Sequence, residues 1–196
     1  LSYTNDFEID EHIYSEPWLT GFGDYLEVFQ PTMVCGTTAS LNEPSQALIP
    51  ASMARRFFGT TDAIGKIIYV DRKSLNQPLV IGGVYQDMPE NSQLGNCVFS
   101  SFRSDLNKDS WTNWSYTLYI RLDNPASLHD VKLSMIEECK QKLPQNRISG
   151  QEDWENYIHF TPLDEVHYST IGDKAATSKA AVYLLLCVSI LILLTA

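Results

Sequence analysis

The sequence predicts a mixed α/β domain, with α+β character, followed by the start of a transmembrane helix. Three observations predict it. Two runs rich in β-branched residues, Lys66 to Asp71 (KIIYVD) and Leu79 to Tyr85 (LVIGGVY), read as a hairpin with a long polar loop. A strictly alternating stretch, Trp114 to Leu122, leads into helically spaced apolar residues and then a second alternating stretch, Trp154 to Phe160. The chain then runs from Ala180 to Ala196 without a charged residue.

Taken in order, the segment to about Asn42 scatters aromatics (Tyr3, Phe7, Tyr14, Trp18, Phe22, Tyr25, Phe29) among breakers at Pro17, Gly21, Gly23 and Pro31, which predicts short elements separated by turns. Ala51 to Phe58 (ASMARRFF) lies between Pro50 and Gly59 and predicts a two-turn helix with a proline at its first turn and a glycine past its end. The hairpin follows. In Trp114 to Leu122 one face carries Trp114, Tyr116, Leu118, Ile120 and Leu122, the other Ser115, Thr117, Tyr119 and Arg121. Leu128, Val131, Met135, Ile136, Cys139 and Leu143 then recur at helical spacing until Pro144 stops them. Strand, helix and strand make a βαβ-like unit, right-handed if its strands are parallel.

The apolar run has only Tyr183, Ser189 and Thr195 as polar interruptions. Its 17 residues at about 1.5 Å each make roughly 25 Å of helix, a little short of the ~30 Å hydrocarbon core, so it reads as a truncated membrane span. An apolar surface all round has no polar stripe with which to face water. Lys174 and Lys179 beside it, by the positive-inside rule alone, favour a cytoplasmic flank.

Fourteen Lys and Arg against 24 Asp and Glu give a net charge of −10, which excludes nucleic-acid binding through a basic face. At 44% hydrophobic and 19% charged residues, the chain is also far from the composition of disordered segments. Cys35, Cys97 and Cys139 stand 62 and 42 residues apart, with Cys187 a further 48 on, which excludes close-spaced zinc pairs and supports no disulfide framework; buried thiols are the default.

Reactive motifs are missing. GTTDAIGK (Gly59 to Lys66) puts five residues between its glycines where a phosphate loop has four, and Ile67 stands where the magnesium-binding hydroxyl belongs. Gly21-Phe22-Gly23 lacks the third glycine of a dinucleotide fingerprint. Glu8, Asp10, Glu11 and His12, and likewise Asp164, Glu165 and His167, read as solvated surface. There is no Gly-x-Ser-x-Gly elbow. The sequence therefore predicts no catalytic residue, no metal site and no cofactor. The glycines and turn residues that do stand out have structural uses. Gly59 can take the positive φ that ends a helix, with Phe58 burying its ring beneath the turn. Gly65 and the Gly82-Gly83 pair permit a tight bend and close backbone approach, and Pro89 to Ser92 marks a turn after the second strand.

The order of the central blocks carries further information. LIPASMARRFFGTTDAIGKII (Leu48 to Ile68), LVIGGVYQDMPENSQL (Leu79 to Leu94), PLDEVHYST (Pro162 to Thr170) and then the apolar run, with Phe22, Asp24, Tyr25, Phe29 and Gly36 upstream, resemble the extracytoplasmic domain of ABC transporter permeases of the MacB/FtsX-like family. The Pro-Glu-Asn-Ser version is similar to paralogues of Bacteroidetes-type bacteria. Two positions depart: Pro50 replaces a helix-capping Ser or Thr, and Gln93 replaces a common His.

The resemblance implies a membrane-proximal porter-like α/β lobe (1–41 and 108–172), an inserted small α/β lobe (42–107), a linker (173–179) and the start of a membrane helix (180–196). It implies a periplasmic or extracytoplasmic position at the bacterial inner membrane, against the weak lysine signal. It also implies a cytoplasmic ABC ATPase as partner, a second permease subunit in a homo- or heterodimer, and a periplasmic adaptor or cargo. The implied function is coupling of ATP hydrolysis elsewhere to export or mechanical signalling, with a scaffold that senses a ligand or activates a cell-wall hydrolase as the alternative.

Overall fold

The structure is a computed structural model that describes residues 3–21, 25–71, 76–90, 92, 94–101, 117–142, 158–168 and 179–195. The chain divides into two compact units, Leu1–Asp123 and Asn124–Ala196.

The first unit is built on seven strands: β1 (Tyr3–Ile9), β2 (His12–Gly21), β3 (Met33–Gly36), β4 (Gln46–Pro50), β5 (Ile67–Val70), β6 (Gln77–Tyr85) and β7 (Val98–Ser101). They hydrogen-bond in the order β3-β6-β4-β7-β2-β1-β5, and β5 pairs back onto β6. Six strands thus close into a mixed barrel, with β3 on the β6 edge beyond the reach of β5. The β2–β7 and β4–β6 pairs are parallel and the others antiparallel. Closure leaves the six strands few free backbone groups, which is how a small all-round sheet avoids exposed edges.

Period-two alternation decides which side chains fill the barrel. Phe7 and Ile9 of β1, Ala47 and Ile49 of β4, Ile68 and Val70 of β5, Leu79 and Ile81 of β6 and Val98 of β7 form one buried cluster, with Tyr14 and Trp18 of β2 packed against it. Helix α2 (Ala51–Phe58) adds Ala51, Met53, Ala54 and Phe57 to the same cluster. A second cluster lies on the other face of the sheet: Leu48, Tyr85, Phe99, Leu41, Leu94 and Cys97 meet Leu26 and Phe29 of the short helix α1 (Tyr25–Phe29). Strand β4 is therefore buried on both faces, consistent with its uninterrupted apolar run.

The hairpin expected from the two β-branched runs forms as β5 and β6, with Ile67 opposite Val80 and Val70 opposite Gln77. Helix α2 keeps its expected bounds, but Pro50 is its N-cap and the last residue of β4 rather than part of the first turn. The early segment holds longer elements than its breakers suggested, because β1 and β2 form one hairpin from Tyr3 opposite Trp18 to Ile9 opposite His12. Its two-residue tip, Asp10 and Glu11, has positive φ at both positions (46° and 69°), the backbone of the turn that matches strand twist. The expected boundary at residue 42 is crossed by hydrogen bonds: β1 pairs with β5 and β2 with β7, so residues on both sides of it build one barrel.

Helix α3 (Leu128–Lys142) in the second unit matches the expected helical spacing. The strands expected on either side of it do not form in the described residues. Thr117–Leu122 and 158–160 carry no regular structure, while 102–116 and 143–157 lie outside the described residues. Alternation shows that a segment could face a core on one side, but a strand also needs a backbone partner. In Thr117–Leu122 the face expected inside is in water, with Leu118 67% exposed, and Tyr119 from the other face packs on Phe29 instead. The last helix, α4 (Lys179–Thr195), is the expected apolar run. It has 17 residues, and no helix among the described residues is long and apolar enough to cross a membrane. The run is helical over those 17 residues, and its described side chains are exposed.

Candidate functional site

Most of the residues singled out by motif gather around the middle of β6 and the loop beyond its end. Gly82 is the extra residue of a bulge against β4, because Ala47 pairs with Ile81 and Leu48 with Gly83. A Cβ at Gly82 would press on the side chains of Ser40 and Gln46, the latter's Oε1 at 2.7 Å. On the other side Gly36 of β3, at φ +74°, lies against Gly82 and Gly83; a Cβ there would sit 2.6 Å from Gly83 Cα. Gly36 thus lets β3 pair with β6 at a separation that no side chain fits, and Gly82 makes room for Ser40 and Gln46. Gly83 faces Met33 and Leu48.

At the middle of β6, Gly65 N–H donates to Ile81 O (2.8 Å) and Lys66 O accepts from Ile81 N–H (2.8 Å), so the loop after α2 is sewn to the hairpin. Gly59 ends α2 in the left-handed region, its N–H donating to Arg55 O at 2.8 Å. The ring buried beneath this turn is that of Phe57, at 7% exposure; Phe58 is half-buried, with Lys66 Nζ 4.7 Å above its ring. This corrects the expectation for Phe58. The reason is helical phase: Met53, Ala54 and Phe57 share one face of α2, and Phe58 is turned about 100° beyond Phe57.

Past the end of β6, Ser92 N–H donates to Pro89 O (2.8 Å) and closes the turn, while Asn91 lies outside the described residues. Met88 and Asn96 bond reciprocally across this loop, Met88 N–H to Asn96 Oδ1 at 2.7 Å and Asn96 Nδ2 to Met88 O at 3.4 Å.

Three functional contacts of the fold escaped sequence reasoning. Pro50 offers α2 no side-chain cap, and Asp87 supplies it from the loop after β6, its Oδ1 accepting from Ser52 N–H at 2.9 Å. The missing cap at Pro50 was the available signal. Tyr85 OH donates to Cys97 O (2.7 Å) and accepts from Cys97 N–H (3.0 Å), satisfying both backbone groups of a fully buried residue. Glu16, at 8% exposure on β2, is paired with Arg56 of α2. Neither of these last two could be read before the barrel's closure was known.

Among the described residues no three His, Cys, Asp or Glu side chains are grouped to hold a metal. The Glu8 to His12 group is spread along the tip of the β1–β2 hairpin, where His12 Nδ1 lies 2.9 Å from Asp10 O, and Asp164 and Glu165 are exposed in a 3-10 turn (Leu163–Tyr168) of the second unit. Burial pushes the Cys97 thiol up to about 12, so it is inert at neutral pH. Burial and the adjacent Glu138 raise Cys139 as well. The described cysteines are all free thiols. An open cleft of about 420 Å³ lies between α1 and β3, lined by Leu26, Glu27, Gln30, Met33, Thr38 and Arg121 among others. Its cation is engaged by the fold, since Arg121 Nη1 donates to Glu27 O at 2.8 Å and so satisfies a carbonyl at the end of α1.

The first unit is a mixed barrel held by glycine contacts and turn motifs. Comparison with known families gives its class. Residues 4–137, more than half of the chain, match the MacB-like periplasmic core domain. The chain belongs to that family, and is the periplasmic or extracellular domain of an ABC transporter permease.

Among solved structures, a domain of a putative permease protein from Porphyromonas gingivalis is 22% identical, with a TM-score of 0.61 over 74% of this chain and 63% of that one. It shares the fold, and the chain spans less than two thirds of its length. The periplasmic region of MacB from Actinobacillus actinomycetemcomitans is 14% identical, with a TM-score of 0.49 over 71% of this chain and 63% of that one. The extracellular domain of the noncanonic ABC-type transporter YknZ from Gram-positive bacteria is 20% identical, with a TM-score of 0.40 over 52% and 51%. No curated protein matches the chain.

Proposed function

We propose that this domain works without catalysis of its own, as the outer part of a permease subunit whose partner ATPase hydrolyses ATP on the cytoplasmic side. Movement generated there passes through the membrane helices and repositions the domain, driving export or a mechanical signal. In this reading α4 continues into the bilayer, 173–179 links it to the domain, and a second permease subunit completes the assembly.

The observation that carries the proposal is the succession of a periplasmic core domain over 4–137 and a helix, Lys179–Thr195, that is apolar on every side. Such a helix has no polar face for water and is at home in hydrocarbon. The use of glycine at Gly36, Gly82 and Gly83 fits a rigid body that transmits force, since it lets β3, β4 and β6 pack at close approach. A scaffold that binds a partner without moving cargo is the second reading, and the exposed isoleucines of the barrel favour it.

Affinity purification of the full-length permease from its native membrane tests the proposal. It should recover an ABC ATPase subunit, and the purified chain alone should hydrolyse no ATP. Recovery of the permease with no ATPase, or ATP hydrolysis by the chain alone, overturns it.

A further inference from the structure

The strand register brings together apolar groups that the sequence scatters. Inward positions of β1, β2, β5 and β6 hold the core, so Ile13, Tyr69, Ile67, Pro78 and Val80 point outward. Glu8 pairs with both Ile13 and Tyr69, and Tyr69 with Pro78, which makes one row across four strands. Ile67 and Val80 pair in the neighbouring row. Ile13 is 58% exposed, Ile67 47%, and Ile64, in the turn just before β5, 51%. Single exposed isoleucines are ordinary; aliphatic and aromatic groups that share two adjacent rows of one sheet face form a patch.

Among the described residues the charge around the patch is mostly acidic. Glu8 stands within the row, and Asp6 and the hairpin tip residues Asp10 and Glu11 flank it, while the one lysine beside it, Lys66 between Ile64 and Ile67, has its Nζ 4.7 Å above the Phe58 ring. An apolar centre with a mainly acidic rim disfavours another acidic surface and favours a basic one. A second copy of this chain, at net charge −10, would bring carboxylates against carboxylates.

We propose that the outer face of β2, β1, β5 and β6, centred on Ile13, Tyr69 and Ile67, docks a protein segment with an aliphatic centre flanked by Lys or Arg. The segment's side chains cover the isoleucines, and its cations meet Asp10 and Glu11 at the rim. This holds whether the permease exports cargo or signals, so its failure leaves the proposed function standing.

The test uses the full chain in a non-ionic detergent and two fluorescent peptides, KVIVKVIK amide and its acidic analogue EVIVEVIE amide, followed by anisotropy. The basic peptide should bind at least about tenfold more tightly than the acidic one, and added salt should weaken it. The double variant I13S/I67S should weaken binding by about tenfold, and D10N/E11Q should remove most of the salt dependence, both with unchanged far-UV circular dichroism. Equal binding of both peptides, or wild-type affinity in I13S/I67S, overturns the proposal. So does sedimentation showing that the chain self-associates through this face and that I13S/I67S makes it monomeric.

Discussion

Replacing Tyr85 by Phe removes one oxygen from the centre of the second cluster and tests whether the loop before β7 is held by that oxygen. In the wild type both Tyr85 and Cys97 have zero exposure, and the hydroxyl bonds the Cys97 carbonyl at 2.7 Å and its N–H at 3.0 Å. Phenylalanine keeps the ring against Phe99, whose centroid is 5.2 Å away, so little packing is lost. What changes is that two buried backbone groups lose a partner and water cannot reach them. An unsatisfied buried group costs about 1–3 kcal/mol, and part of that is recovered as the loop relaxes, so the pair should cost about 2–3 kcal/mol. For a unit of this size each kcal/mol lowers Tm by roughly 3–6 °C, which predicts a fall of about 6–18 °C. Urea denaturation should show a lower midpoint with an unchanged slope. Cys97 should also react faster with a thiol reagent, because local opening of the loop is cheaper. A stability change under about 0.5 kcal/mol with unchanged thiol reactivity refutes the reasoning, since it means the hydroxyl satisfies nothing that the fold needs.

Other perturbations follow from the same contacts. Asp87→Ala removes the borrowed cap of α2 and should cost about 1 kcal/mol in chemical denaturation, with Asp87→Asn recovering much of it. Arg56→Ala leaves the Glu16 carboxylate buried without its ion-pair partner and should cost about 1–3 kcal/mol, whereas the double variant Glu16→Gln with Arg56→Met should be less destabilised than the Arg56 single variant. Stability should fall as pH rises above the ordinary thiol value of 9.0 towards about 12, because there the unfolded chain releases the Cys97 proton and the folded one keeps it. The slope from this group is about 1.4 kcal/mol per pH unit, and Cys97→Ala should lose that component when the two denaturation profiles are compared.

Local elements were legible where local physics suffices. Ala51–Phe58 has its stop signal at Gly59, and β5 and β6 have their β-branched runs, so both emerged with nearly their observed bounds. Partnership was not legible. Nothing in the runs themselves says that β2 pairs with β7 across 76 intervening residues, or that β1 returns to β5, and it is those pairings that close the barrel. The same gap explains Thr117–Leu122, the described part of the Trp114 to Leu122 stretch: its alternation predicts a strand, but the sequence does not supply the neighbour a strand requires.

Side chains that act at a distance in sequence were missed for a related reason. Asp87 reads as a loop residue until the helix it caps is placed beside it, and Glu16 reads as one more surface carboxylate of a −10 chain until Arg56 covers it. The glycines fared differently. Gly36, Gly82 and Gly83 stood out by residue type, and the structure gives the steric reason, close packing where β3 pairs with β6, in which a Cβ would collide with backbone or tightly packed side chains.

Side-specific labelling tests the central claim most directly. Thr4 is exposed on β1, and Thr4→Cys in the full-length permease puts a reactive thiol on the domain. In intact spheroplasts a membrane-impermeant maleimide should label this cysteine as fully as it does after permeabilisation. Labelling that appears only once the membrane is opened would place the barrel on the cytoplasmic side and contradict the account.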